Sequence, residues 1–220
     1  MTFANVEKSW AYQQDQLPTT HPISTDASDI ETVEQNFDGI TYAKGASVLK
    51  QLQAYVGRDN FLAGVRRHFA AHAWGNATFD DLLRHLEEAS GRDLSFWAQQ
   101  WLKTSGINTL SVALNADESG MITHAYLTQG GDTLRTHRVA VGLYNLQDGK
   151  VVRTDRIEMD IDGASTEIPE LIGRQLADID FLLPNDDDLT YCLIELDAGS
   201  LQFLLDNIDK FADPMARTLC

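Results

Sequence analysis

Two histidines, His68 and His72, stand four residues apart in a run of helical periodicity. That spacing puts both imidazoles on one face of a helix, one turn apart, where they can reach a single zinc ion. The pair stops short of a site. In the zinc-binding helix pattern HExxH the residue after the first histidine is a glutamate that acts as general base, and here it is Phe69, an apolar residue of the helix's own stripe. No third ligand is fixed by spacing, and metal binding needs a ligand set rather than one pair. The two are therefore read as surface or packing histidines, and no residue is assigned to a metal or a cofactor. Other chemistries lack their signatures too. The sequence has no GxGxxG, no GxxxxGK[ST] and no GxSxG, which removes the phosphate-cradling loops and the nucleophile elbow. Of the two cysteines, Cys192 falls in a strand-like run with no local base and Cys220 is the last residue. With no CxxC they suggest neither a disulfide framework nor a thiolate zinc cluster, and a reducing compartment fits.

The elements that must position any site change character along the chain. Residues 1 to about 36 are polar, with Pro18 and Pro22 followed by the acidic run Asp26, Asp29, Glu31 and Glu34, and read as a connecting segment with regular structure only near its ends. Ile40, Ala43, Val48, Leu49, Leu52 and Val56 then recur at helical spacing, with Gly57 placed to end the helix. Phe61, Leu62, Val65 and Phe69 mark a second helix, for which Asn60 is the expected cap. A third has Thr78 as N-cap, Phe79, Leu82, Leu83 and Leu86 as its stripe and Gly91 as its stop, and a fourth runs through Phe96, Trp97, Trp101 and Leu102.

After Ser105-Gly106 the period drops to two: Leu110, Val112 and Leu114, then Ala125 and Leu127, then Val139, Val141 and Leu143, then Ile157, Met159 and Ile161. Turn residues at 117–120, 130–132 and 147–149 sit where hairpins would close, which predicts an antiparallel meander or small sandwich. Phe181–Leu183 and Tyr191–Ile194 would add two strands, and helical spacing returns at Leu201, Leu204, Leu205 and Ile208 and again after the capping pair Asp213-Pro214. The fold class is α+β.

With 220 residues, 43% hydrophobic, the chain is long enough for one large or two small cores. Its 33 acidic against 17 basic side chains leave a net charge of -16, which repels phosphate backbones and anionic lipid surfaces, so neither nucleic acid nor membrane is an expected partner. The start, MTFANVEKSWAYQQ, lacks the apolar run of a signal peptide, and no stretch approaches a membrane span. A cytoplasmic chain is expected.

One segment is more specific. The run from Asn36 to Leu49, NFDGITYAKGASVL, strongly resembles the segment of the aminopeptidase N family of zinc metallopeptidases that carries its catalytic tyrosine. The resemblance extends over the whole chain: His21-Pro22-Ile23, the helix pair through Asp80-Asp81-Leu82, Trp97 and Trp101 with Gly106, and Leu183-Pro184-Asn185 with Asp188-Leu189-Thr190-Tyr191 all have counterparts there. It implies that residues 1–104 are the C-terminal helical part of a thermolysin-like catalytic domain, 105–197 a β-sandwich and 198–220 the start of a helical domain. It also implies a role for Tyr42, whose phenol matches the hydrogen-bond donor to the oxyanion formed when zinc-bound water attacks the scissile carbonyl. Lys44 and Gly45 are expected to serve the scaffold, Gly45 by allowing close helix packing and Lys44 as a solvated charge or a neighbour of an acidic site; His21 is expected to cap or orient its loop.

The family's HExxH, its following-helix glutamate and its GxMEN loop do not occur in these residues. The expectation is thus a piece of a zinc aminopeptidase that supplies Tyr42, binds no zinc of its own and is inactive alone. Its partners would be peptide substrates and the remainder of the same catalytic domain, with self-association through exposed apolar surface. The competing expectation is a non-catalytic acidic interaction module derived from such an enzyme.

Overall fold

Apolar stripes and caps dictate the helices of the first hundred residues. A computed structural model of the protein describes residues 7–25 and 28–220, so Asp26 of the acidic run and the first six residues lie outside it. The chain divides after Ser105 into two compact units.

In the first unit the helices are α1 (Lys8–Asp15), α2 (Ile30–Gln35), α3 (Gly45–Val56), α4 (Arg58–Ala71), α5 (Phe79–Ser90) and α6 (Ser95–Leu102). A π-helical turn, Ile40–Lys44, runs directly into α3, so the expected single helix has a wide first turn. α5 has the predicted ends. Thr78 accepts from the Asp81 N–H while the Asp81 side chain accepts from Thr78 N–H, a complete capping box, and Gly91 closes the helix in the left-handed conformation at φ 69°. Those hydrogen bonds from Thr78, backbone first and hydroxyl second, hold the Asp81 carboxyl down to about 2. The core gathers Ile40, Ala43, Leu52, Leu86, Trp97 and Trp101, all within 1% of complete burial. Trp97 Nε1 donates to Gln51 Oε1 at 2.6 Å, which satisfies both groups inside that core.

Three details differ from the sequence reading. Asn60 lies inside α4 rather than capping it, and its side-chain amide donates to Val56 O at 2.9 Å, closing the end of the preceding helix. Phe69 belongs to the apolar stripe by spacing but is exposed, because α4 is covered on one side only. Tight backbone approach occurs at Gly39 and Gly64 rather than at Gly45: a Cβ on Gly39 would lie 2.7 Å from Gln14 Oε1, whereas one on Gly45 would meet nothing closer than 3.9 Å.

The second unit is a two-sheet sandwich. One sheet has the order β5-β2-β1-β7 and the other β4-β3-β6, with β1 Thr109–Ala116, β2 Ile122–Gly130, β3 His137–Gln147, β4 Lys150–Ile161, β5 Ser165–Glu167, β6 Phe181–Pro184 and β7 Leu193–Ile194. Alternation works as predicted: Leu110, Ala125, Leu127, Val139, Val141 and Ile161 meet between the sheets. The β3–β4 hairpin turns through Asp148 and Gly149 at φ 50° and 77°, as a two-residue primed turn requires. The segment 130–132, in contrast, is not a hairpin; it carries the chain from β2 in one sheet to β3 in the other. β7 pairs parallel with β1, the single exception to antiparallel order among the described strands. Helices α7 (Ala198–Asn207) and α8 (Pro214–Leu219) belong to this same unit. Leu204 and Ala216 of these helices join Tyr144, Val151, Phe181 and Leu183 in a second apolar cluster. Asp213 caps α8 by accepting from Met215 N–H at 2.9 Å.

His137, Tyr144 and Asp186, polar groups buried in the sandwich, are paired. His137 lies with Nδ1 2.8 Å from Thr190 Oγ1 and Nε2 3.2 Å from Gln129 Oε1. Burial, reinforced by the Arg135 charge, pushes its pKa down to about 3, so the imidazole is neutral in the folded unit. Tyr144 donates to Asp186 Oδ1 at 2.8 Å, and Asp186 also accepts from Arg153 at 2.7 Å. Among the described residues, no helix is long and apolar enough to cross a membrane.

Candidate functional site

Tyr42 sits in the middle of the π-helical turn, whose defining bond runs from Gly45 N–H back five residues to Ile40 O. Wide turns of this kind are energetically poor and are found mostly as local features held by their surroundings. Here Asp38 does the holding. Its Oδ1 accepts from Thr41 N–H at 3.0 Å and its backbone carbonyl accepts from Tyr42 N–H at 3.1 Å. Asp38 Oδ2 is 2.9 Å from His21 Nε2, and the other ring nitrogen of His21 is 2.8 Å from Pro22 O. His21 therefore orients its loop and the carboxylate that starts the helix. Gly39 N–H donates to Gln14 Oε1 at 2.6 Å, which pins the same turn to α1.

The outcome is a phenol on the surface, 43% exposed, with Phe37 packed edge-on against its ring at 5.4 Å between centroids. Tyr42 lines a cleft of about 860 Å³ together with Leu49 of α3, Phe79 and Leu83 of α5 and Ala98 and Leu102 of α6. The size is that of a ligand cleft, and the walls are mostly apolar with charge at the rim from Asp80, Arg84 and Glu87. Lys103 Nζ donates to Ser24 Oγ at 2.8 Å along this edge.

Lys44 is not a solvated charge. It is fully buried, and its ammonium lies 2.8 Å from Asp15 Oδ2, which is equally buried. Asp15 Oδ1 accepts a further hydrogen bond from Thr20 Oγ1 at 2.6 Å. The pair ties α1 to the turn that carries Tyr42, so Lys44 acts on the site through the scaffold.

A second cluster lies on α4 and α5. His68 and His72 share a face as their spacing predicts, with ring centroids 5.0 Å apart. The structure adds His85, whose ring is 5.8 Å from His68 and 5.9 Å from His72. Spacing along one helix does not reach this third imidazole, because it arrives from another helix. Gly64 is the signal that selects it: α4 and α5 form an antiparallel hairpin in which the absent side chain lets the backbone of Leu86 come so near that a Cβ would lie 3.0 Å from its Cα.

The family comparisons bear on both units. Residues 1–101 match the Peptidase family M1 domain. Over the whole chain the sequence is 50% identical to aminopeptidase N of Streptomyces lividans, of which it covers 27%. It is 32% identical across 64% of its length to probable aminopeptidase 2 of Sulfurisphaera tokodaii, covering 18% of that protein. It is 36% identical across 50% of its length to the tricorn protease-interacting factor F2 of Thermoplasma volcanium, covering 14% of that one. The chain thus spans about a quarter or less of the length of these relatives. The matched domain contains the Tyr42 turn, and identity at the level of one residue in two continues through the sandwich to the last helices: the chain belongs to the aminopeptidase N family.

Proposed function

We propose that this chain is the tyrosine-bearing part of a zinc-dependent aminopeptidase that removes N-terminal residues from peptides, with Tyr42 as its catalytic residue. The observation that carries the reading is a half-exposed phenol at the wall of an 860 Å³ apolar cleft, on a turn fixed by Asp38. A phenol there is suited to donate a hydrogen bond to the oxygen of a peptide carbonyl as negative charge develops on it. One oxyanion donor of this kind supplies about 2.7–4 kcal/mol of barrier lowering.

The residues present do not fit the family's catalytic zinc. HExxH is absent, and Phe69 occupies the position after His68 where the general base would stand. The 220 residues alone are therefore proposed to be inactive. The remainder of the catalytic domain is the proposed partner of the apolar side chains left exposed around the site, Phe37, Leu49 and Phe79 among them. Without that cover the isolated chain self-associates. The two cysteines, neither in a disulfide, support a reducing, cytoplasmic setting.

The test is a chimera in which this chain replaces the aligned 27% of the Streptomyces lividans aminopeptidase N. The chimera is expected to cleave an aminoacyl chromogenic substrate, and Tyr42→Phe to lower kcat by about 10²–10³. Sedimentation of the isolated chain and the chimera reads self-association in the same samples. An active chimera indifferent to Tyr42→Phe would leave the acidic interaction module as the better reading.

A further inference from the structure

We propose that His68, His72 and His85 form a binding site for a divalent transition-metal ion of the zinc class, clipping α4 to α5. The inference is independent of the role given to Tyr42. Each of the three imidazoles offers one nitrogen such that all three atoms lie within 4.8 Å of one another. A tetrahedral ion with metal–nitrogen bonds of about 2.1 Å needs its ligand atoms about 3.4 Å apart, so closure asks for movements on the order of 1 Å. His72 has the freedom to make them. It is the residue that ends α4, with φ -114° and ψ 22°, and so stands where helical packing no longer fixes its side chain.

A second observation points to a ligand. His68 Nδ1, His72 Nε2 and both nitrogens of His85 are shielded from solvent and have no hydrogen-bond partner. Buried polar atoms are almost always satisfied, and three imidazoles that bring one nitrogen each to one spot while leaving ring nitrogens unsatisfied call for a group that accepts lone pairs. Three imidazoles and no thiolate select zinc, cobalt, nickel or copper over the hard cations calcium and magnesium. Glu88 Oε2, 3.6 Å from His85 Nδ1, is beyond hydrogen-bond distance but sets a carboxylate beside the ring.

These donors are distinct from the cleft. Leu83 and Glu87 of α5 face the cleft, and His85, two residues from each, projects from the opposite side of the helix. The ligands come from two helices that otherwise meet through small and apolar groups at Gly64 and Leu86, so a bound ion would join them on the side of that contact nearer the connecting loop 72–78. With three protein ligands the fourth position is left to water.

The test uses the untagged 220-residue chain, stripped with a chelator and titrated with Co²⁺. One equivalent of Co²⁺ is expected to bind with the intense visible absorption of a tetrahedral site, and Zn²⁺ to displace it. His72→Ala and His85→Gln should each weaken binding at least tenfold, while His124→Ala in β2, on an exposed part of the sandwich, leaves it unchanged. Circular dichroism checks that the variants fold. In case they do not, histidine-modification mapping of the unaltered chain gives the same answer: Zn²⁺ should protect His68, His72 and His85 and leave His124 reactive. Absence of the cobalt band in folded protein, binding that His85→Gln does not change, or lack of protection at the three histidines would each overturn the proposal.

Discussion

Lys44 shows how far a single residue can depart from its surface average. Lysine is almost never fully buried unless paired, and here the pairing with Asp15 at 2.8 Å is what makes its burial tolerable. Removing either partner strands a charge out of water. Lys44→Met or Asp15→Leu alone is therefore expected to cost about 3–5 kcal/mol in urea unfolding, and the double substitution to recover most of that loss. A double substitution that loses the sum of the two single losses would show that the two charges act separately. From sequence, Lys44 reads as a solvated charge or a neighbour of an acidic site, and nothing near it in the chain names Asp15, 29 residues away. His85 is hidden for the same reason, since its neighbours in space are set by a helix crossing. Tyr42 is singled out in the sequence by resemblance alone, but the turn that carries it is local, since residues that hold it, Asp38 to Gly45, are its neighbours in the chain.

At the scale of elements, ends were easier to read than phases. Thr78 with Asp81 and Gly91 declare the limits of α5, because capping is chemistry between residues three or four apart. The wide turn before α3 is not declared, since apolar spacings of three to five fit either helix geometry. The crossing at 130–132 was invisible because the same glycine-rich chemistry serves a hairpin and a jump between sheets. Helix pairing has one marker, Gly64. Its replacement by alanine gains about 0.8–1.0 kcal/mol of helix propensity, but the added methyl would lie 2.9 Å from His85 O and 2.7 Å from Leu86 Cδ2. Backbone cannot yield as a side-chain tip does, and overpacking of this kind costs about 1–3 kcal/mol. Gly64→Ala should lower the melting temperature, and an unchanged or raised value would mean that the two helices are free to separate.

The whole molecule carries a charge of -16, and acid relieves that self-repulsion as carboxylates protonate. His137 works the other way. In the unfolded chain it takes up a proton near pH 6.5, whereas in the folded sandwich burial holds its pKa down to about 3. Between those values the unfolded state binds more protons, so its contribution is complete above about 6.5 and declines as pH falls, with a slope approaching 1.4 kcal/mol per pH unit, an order-of-magnitude figure. A comparison with His137→Asn removes the background of carboxylates common to both proteins. The stability advantage of the unaltered chain is expected to shrink from pH 7.5 to pH 5, and a gap that stays constant would show that this imidazole is not kept neutral.

The turn at Ile40–Lys44 closes five residues back rather than four, so it holds one residue more than its α-helical equivalent. One residue is about 100° of rotation about the helix axis. The aim of the Tyr42 ring is consequently stored in an integer, the number of residues between Gly39 and Gly45, as much as in any side-chain preference. A one-residue deletion there would let the turn wind down to the commoner geometry and swing the hydroxyl by about a quarter of a circle, with every apolar side chain of α3 left in its place.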